Sequence, residues 1–386
     1  MTWLAALTFV LFLGAMVDVG FGMRRLRRLD AQPPRHDGDW PSVSVVIPAR
    51  NEELHLAEAL QSVLALDYPR IDVLVVDDRS TDATPRILAD LSRRHPRLRT
   101  LSVTDLPAGW MGKNHALALG SGRTTGDLLL FTDADVVLAP DALRRAVAIL
   151  EADALDHLAV APRIVARSFP LRCMVATFGL YFTLFARPWR VAVAGTRESI
   201  GIGAFNLVRR RTYDAIGTHA RVRMAPDDDL QLGRAIKHDG HRQALALSGG
   251  LVQVEWYASV RELVAGLMKN AFAGLDYRVS AVAGAVIALL TINVWPFVAL
   301  GVVSGLAWWL NLSVTLAAVA LFVLHTRMYG ARGEEVVLYP LATLLFCWIL
   351  VRAAWMALWT GGIEWRGRHY PLAEIRAARA SATPPA

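Results

Sequence analysis

Cysteine is nearly absent: two residues among 386, Cys173 and Cys347, far apart and each in an apolar run. That excludes a disulfide framework and any metal- or redox-type cysteine spacing. Charge is scarce as well. Only 19% of residues are Asp, Glu, Lys or Arg, against about 25% in average soluble domains, and mean hydropathy is +0.35. No glycine cradle follows the first apolar strand pattern. "SVSVVIP" (42–48) runs into "ARNEE", not Gly-x-Gly-x-x-Gly, so a dehydrogenase is disfavoured. No internal repeat is visible. The net charge of +7 comes mostly from arginines. They show no aromatic interleaving of the kind that binds nucleic acid, so no nucleic-acid partner is expected.

The apolar residues that are present are concentrated. They fill 3–22 and much of 281–360, near the ~20-residue length of a membrane span. Residues 1–22 read as an uncleaved transmembrane anchor, because "MRRLRRLD" (23–30) follows the run instead of preceding it and no small-residue cleavage site is clear. Arginines 24, 25, 27 and 28 mark the cytoplasmic side. A basic, Pro-rich linker covers 23–40, a globular domain 41–270, a membrane region 279–360 and a tail 361–386, whose end (378–386) reads as disordered. The protein is expected in the inner or plasma membrane, multi-pass, with 41–270 in the cytosol.

Spans are expected near 281–300 and 305–324, with a third apolar run at 336–359 interrupted by Arg352. Four spans with the N-terminus outside would leave the C-terminus outside, whereas Arg366, Arg368 and Arg376 favour the inside. Either Arg352 marks a re-entrant hairpin, or residues 3–22 are removed or lie in the surface. The aromatic-rich stretch 170–189, with Arg172 and Arg187 near its ends, fits a helix in the membrane plane better than a span or a buried helix.

Between 42 and 135, strand and helix patterns alternate. Strands are expected at 42–48, 71–78, 97–103 and 127–135, and helices at 51–66, 81–95 and 113–123, with Thr81 or Asp82 as a cap for the second. That alternation predicts an α/β domain with a mostly parallel sheet covered by helices on both faces. Ligands in such sheets sit at the carboxyl ends of the strands. Asp77, Asp78, Asp133 and Asp135 all fall there. In "LLLFTDADVVL" (128–138), two carboxylates two residues apart follow a buried strand. Both cannot be buried without a counter-charge. A divalent cation supplies one, and Mg²⁺ takes one or two carboxylates together with substrate phosphates.

"VSVVIPARNEE", "VLVVDDRSTDAT", "GKNHALALG" and "LLLFTDAD" together resemble the catalytic domain of the family 2 glycosyltransferases. These are inverting enzymes of the GT-A fold that use nucleotide-diphosphate sugars. The resemblance covers about 42–270. It implies donor-binding roles for Pro48, Asn51, Glu52, Asp78, Lys113 and Asp133. It also implies a divalent metal, Mg²⁺ or Mn²⁺, on Asp133 and Asp135. Inverting transfer needs a carboxylate to take the acceptor's proton. In "MAPDDDLQLGR" (224–234), alignment on the family's Leu-Gly-Arg places the acidic pair at Asp228 and Asp229, with Asp229 as base and Asp227 as an extra acid. A one-residue slip within the triplet stays open. "GIGAFNLVRR" (201–210) matches the small-residue strand before the acceptor site.

No Gln/Arg-x-x-Arg-Trp motif follows the acids, and processive polymer synthases usually carry one. "DLPAGWMGKNHAL" (105–117) most resembles branches associated with hopanoid and carotenoid glycosylation, and more distantly ceramide glucosyltransferases. The resemblance therefore implies transfer of a single sugar to a lipid acceptor. A polysaccharide synthase of the same family, and a non-catalytic nucleotide-sugar-binding membrane protein, are the alternatives.

Overall fold

The structure is a computed structural model that describes residues 2–34 and 38–382. Helix α1 (Thr2–Met23) leads to the short strand β1 (Arg27–Arg28). An alternating series follows: β2 (Val43–Ala49), α2 (Leu56–Leu64), β3 (Ile71–Asp78), α3 (Thr84–Arg94), β4 (Leu98–Val103), α4 (Gly112–Ser121) and β5 (Leu128–Phe131). Next come β6 (Val136–Leu138), α5 (Ala142–Ala152), β7 (His157–Ala161), β8 (Arg163–Ile164), α6 (Phe169–Ala186), β9 (Asn206–Arg209), α7 (Arg210–Ala215) and α8 (Asp228–His238). The chain continues through β10 (Gln243–Leu247), β11 (Val252–Val254), α9 (Val260–Ala271), α10 (Val279–Leu289), α11 (Trp295–Ala299), α12 (Gly305–Met328) and α13 (Tyr339–Trp359). It closes with the hairpin β12 (Gly362–Trp365) and β13 (Arg368–Pro371), then α14 (Leu372–Ala382).

These elements form two compact units. The sheet unit takes residues 26–165, 188–255 and 374–382, and the helical unit takes 2–25, 166–187 and 256–373. The main sheet has the order β1-β10-β7-β9-β5-β2-β3-β4. All its pairings are parallel except those of β9, which runs antiparallel to β5 and β7. Strand alternation sends Val45, Ile47 and Leu130 to one face, against Leu56 and Leu60 of α2 and Leu143 and Val147 of α5. Val46, Leu129 and Phe131 point to the other face, against Leu117 of α4, Tyr213 of α7 and Leu232 and Ile236 of α8. Burial on both faces is why these strands read as continuous apolar runs.

Two local boundaries differ from the sequence pattern. The helix expected from 51 begins at Leu56. The Asn51 backbone is left-handed at φ 55. Its N–H donates to Ser80 Oγ (3.0 Å), and Glu52 N–H donates to Thr84 Oγ1 (2.8 Å). Those donors are committed to a neighbouring loop before a helix can start. The strand expected through 135 stops at Phe131. There Thr132 Oγ1 donates to Ala204 O (2.7 Å), and the chain turns into β6 of a second sheet, order β6-β11-β8.

In the helical unit α1 packs along α12, and Arg187 pairs with Asp18 at 2.8 Å. Residues 256–270, expected to end the globular domain, belong here: Leu263 and Leu267 of α9 join Leu171 and Met174 of α6 and Ala342 and Ile349 of α13 in one apolar cluster. Among the described residues, five helical segments are long and apolar enough to cross a membrane: Thr2–Met23, Phe169–Arg190, Val279–Ala299, Gly305–Met328 and Glu334–Trp359. The re-entrant hairpin, one of the two alternatives at Arg352, finds no break in the helix. Helix α13 is continuous, and the Arg352 guanidinium lies over the Trp348 ring at 4.8 Å. The tail expected to be disordered from 378 is helical through Ala382; residues 383–386 lie outside the described residues, as do 35–37 of the linker.

Candidate active site

Helix α8 carries the acidic triplet at its N-terminus, where backbone N–H groups and the macrodipole favour negative charge. Two glycines bring it against the segment before β9. A Cβ on Gly201 would collide with the Asp229 carbonyl, and one on Gly233 with the Ile200 carbonyl, so the two backbones cross in direct contact. This crossing places Asp229. Its carboxylate accepts from Gly203 N–H (2.7 Å) and Leu230 N–H (2.8 Å).

Opposite stands Lys113, in the first turn of α4. Its ammonium is 2.8 Å from Asp133 Oδ1 and 3.6 Å from Asp228 Oδ1. Burial opposes the Lys113 charge, but Asp133, Asp228 and Asp229 outweigh it and hold its pKa above the ordinary lysine value. Burial also pushes the Asp229 carboxyl above the ordinary carboxylate range, against the attraction of Lys113. Lys113, Asp133, Gly203, Asn206, His219, Asp228 and Asp229 all line one small cavity of about 10 Å³. Asp227 is not among them. Its Oδ2 accepts from Gln231 Nε2 (2.7 Å) and lies 3.7 Å from the Arg379 guanidinium of α14.

Asp135 sits beyond Asp133 in the turn. Burial, with the charges of Asp133 and Glu52 second, pushes its pKa up to about 7. Among the described residues, no three of His, Cys, Asp and Glu are placed to hold a metal ion together. Asp78, at the end of β3, is buried and accepts from Nε and Nη2 of Arg79 (2.8 and 3.0 Å), with Arg50 at 3.5 Å. Pro48 lies near the end of β2 beside it, in register with Val76. Asn51 Oδ1 accepts from Thr81 N–H (2.8 Å), so its side chain joins the two loops at the strand ends. Asp82 accepts from Thr84 N–H (2.9 Å), while Ala83 takes the cap position of α3 with no side-chain capping bond.

The structure thus brings Lys113, Asp133, Asp228 and Asp229 together; Asn51 sits in the loops at the ends of β2 and β3, and the Asp78 carboxylate lies directly against Gly112, the residue before Lys113. Sequence reasoning missed Asn206, His157, Gln243 and His219. The only signal they carry is local polarity inside apolar strand patterns, and that does not show what they face.

Residues 44–217 match the model described as "Glycosyl transferase family 2". The chain is 31% identical over 206 residues to a beta-monoglucosyldiacylglycerol synthase of Nostoc sp., covering 51% of this chain and 43% of that protein. It therefore spans less than half the length of that relative. It is 24% identical over 392 residues to a 4,4'-diaponeurosporenoate glycosyltransferase of Staphylococcus aureus, covering 97% of this chain and 100% of that one. Among solved structures, the mannosyltransferase PcManGT from Pyrobaculum calidifontis, in complex with GDP-Man and Mn²⁺, superposes with TM-score 0.56 at 21% identity, over 93% of this chain and 99% of that one. The sheet unit shares that architecture, and over residues 44–217 the chain carries a family 2 glycosyltransferase domain with the GT-A fold.

Proposed function

We propose that the protein is a membrane-anchored, inverting glycosyltransferase that moves one sugar from a nucleotide-diphosphate donor to a lipid hydroxyl. The observation that carries this reading is the cavity in which the Asp229 carboxylate faces the Lys113–Asp133 pair across Gly203. Asp229 takes the proton of the attacking hydroxyl. Its raised pKa suits a group that must accept a proton at neutral pH. Lys113, fixed between Asp133 and Asp228, presents positive charge to the donor. Asp78, Pro48, Asn51 and Glu52 shape the nucleotide side at the ends of β2 and β3. The lipid acceptor rests on the names of the relatives and on the apolar helices.

A divalent cation, Mg²⁺ or Mn²⁺, fits Asp133 and Asp135. Both are oxygen donors, and Asp135 is burdened by two neighbouring carboxylates whose repulsion a cation relieves. When bound, it would neutralise charge on the departing diphosphate.

Chain connectivity supports one membrane topology. Helix α6 leaves the sheet unit and returns to it, so one crossing by α6 would divide a single sheet between two sides of a bilayer; it lies in the plane. The same logic makes the number of crossings between 256 and 373 even, since 374–382 returns to the sheet unit. A charged nucleotide-sugar does not cross a bilayer unaided, so this unit faces the cytosol.

Membranes carrying the protein, supplied with UDP-glucose, UDP-N-acetylglucosamine and GDP-mannose, test the reading by mass measurement of extracted lipid. One added hexose per lipid is expected. A long glycan would make the protein a polymer synthase, and no product with any donor would refute transfer.

A further inference from the structure

Behind the cavity lies a buried polar relay that the roles above leave unused. Gln243, at the start of β10, is 1% exposed, and His157, at the start of β7, is fully buried. Gln243 Oε1 accepts from Ile200 N–H (2.9 Å), while its Nε2 donates to Gly233 O (3.0 Å) and meets His157 Nδ1 (2.9 Å). With Gln243 Nε2 the donor, His157 Nδ1 must be the acceptor, and burial holds the ring neutral with a pKa of about 4. The single ring proton therefore sits on Nε2, which donates to Asn206 Oδ1.

This order fixes Asn206. Its carbonyl oxygen is taken, so its NH₂ group is the end that faces the cavity. Asn206 is 2% exposed, and among the described residues its amide nitrogen makes no hydrogen bond, yet the residue lines the cavity with Lys113, Asp133, Asp228 and Asp229. A donor that opens onto so enclosed a cavity is stabilised by an acceptor placed there. The cavity of about 10 Å³ holds roughly one water-sized group. That volume is too small for a phosphate group. A hydroxyl meets both demands: its oxygen accepts from Asn206, and its proton goes to a carboxylate.

We propose that Asn206 reads one hydroxyl of the transferred sugar, presented as a fixed hydrogen-bond donor by the His157–Gln243 relay. The proposal rests on the glycosyl-transfer reading. The relay also ties Ile200 to Gly233, the two sides of the backbone crossing that sets Asp229, so His157 and Gln243 are positioning residues.

The test is a cycle between variants and donors, using full-length protein in membranes. Wild type and Asn206→Asp, which keeps the acceptor for His157 but loses the donor, are assayed with UDP-glucose, GDP-mannose and their monodeoxy analogues. For the hydroxyl that Asn206 reads, deleting the hydroxyl or the donor should each lower kcat/KM by about 2- to 12-fold, the span of one neutral hydrogen bond, and deleting both should cost little more than either alone. Losses that multiply at every hydroxyl position overturn the proposal and leave an ordered water as the occupant. Absence of turnover by wild type with every donor defeats the glycosyl-transfer reading instead.

His157 gives a second route should Asn206→Asp fail to fold. His157→Leu should erase the discrimination between one parent sugar and its deoxy analogue. His157→Gln, whose amide can donate to Asn206 and accept from Gln243, should restore it. Equal discrimination in both variants refutes the relay.

Discussion

One added methyl group separates the site from its scaffold. Gly201, Gly203 and Gly233 all lie where α8 meets the segment before β9, and none has a positive φ, so alanine is conformationally allowed at each. The neighbours differ. At Gly201 and Gly233 a Cβ meets backbone that cannot yield, the Asp229 and Ile200 carbonyls. At Gly203 it meets side-chain ends: Asp133 Oδ2 at 2.7 Å, Lys113 Nζ at 3.3 Å and Asp229 Oδ2 at 3.4 Å. The Asp133 carboxylate must retreat by several tenths of an ångström, and the cavity is filled. Gly203→Ala should therefore leave stability within about 1 kcal/mol while lowering kcat/KM by roughly 10- to 100-fold, since displacements near 1 Å at a reacting centre cost about that much. Gly201→Ala and Gly233→Ala should each lose about 1–3 kcal/mol or more through overpacking, seen as a Tm lower by roughly 3–10 °C. Thermal unfolding and glycosyl transfer on the same preparations measure both. Full activity in Gly203→Ala would show that the reaction does not use this cavity, and a Tm loss equal to that of Gly201→Ala would show that the site has no freedom to adapt.

Asp229→Asn should retain donor binding while kcat falls by about 10²–10⁴-fold, the usual share of a general base. The amide can satisfy only one of the donors Gly203 N–H and Leu230 N–H, so a modest loss of stability should accompany it. If Asp228→Asn gives the large kcat loss instead, the base is one residue earlier. Asp135→Ala should abolish turnover and its dependence on added Mg²⁺ or Mn²⁺; full activity in excess chelator would remove the metal role. Reporter fusions at residues 40, 330 and 375 should all read cytosolic. Because 374–382 belongs to the sheet unit, opposite signals at 40 and 375 would contradict the fold itself.

Much of the sheet unit was legible in the sequence for a local reason. Strands buried on both faces must be continuously apolar, so β2, β3 and β5 announce themselves, and acids directly after them mark the ligand-binding edge. "TDAD" and "DDRSTD" needed no tertiary information to be placed there. The membrane-length helices were equally plain from hydropathy.

Only the tertiary structure decided the rest. Lys113 and Asp229 are far apart in sequence and meet because two glycines let backbones cross, a contact that no periodicity encodes. The acidic triplet is locally uniform, yet Asp227 turns to Gln231 and Arg379 while Asp228 and Asp229 line the cavity. Asn51 also ties two loops, because its own N–H and that of Thr81 find partners across the strand ends, a role that its sequence position does not show. Residues 378–382 looked unstructured, having little apolar content, but form part of α14, from which Arg379 approaches Asp227. Local sequence fixes which residues are apolar, charged or extended. Which polar groups complete one another depends on chain segments that meet only after the sheet has closed.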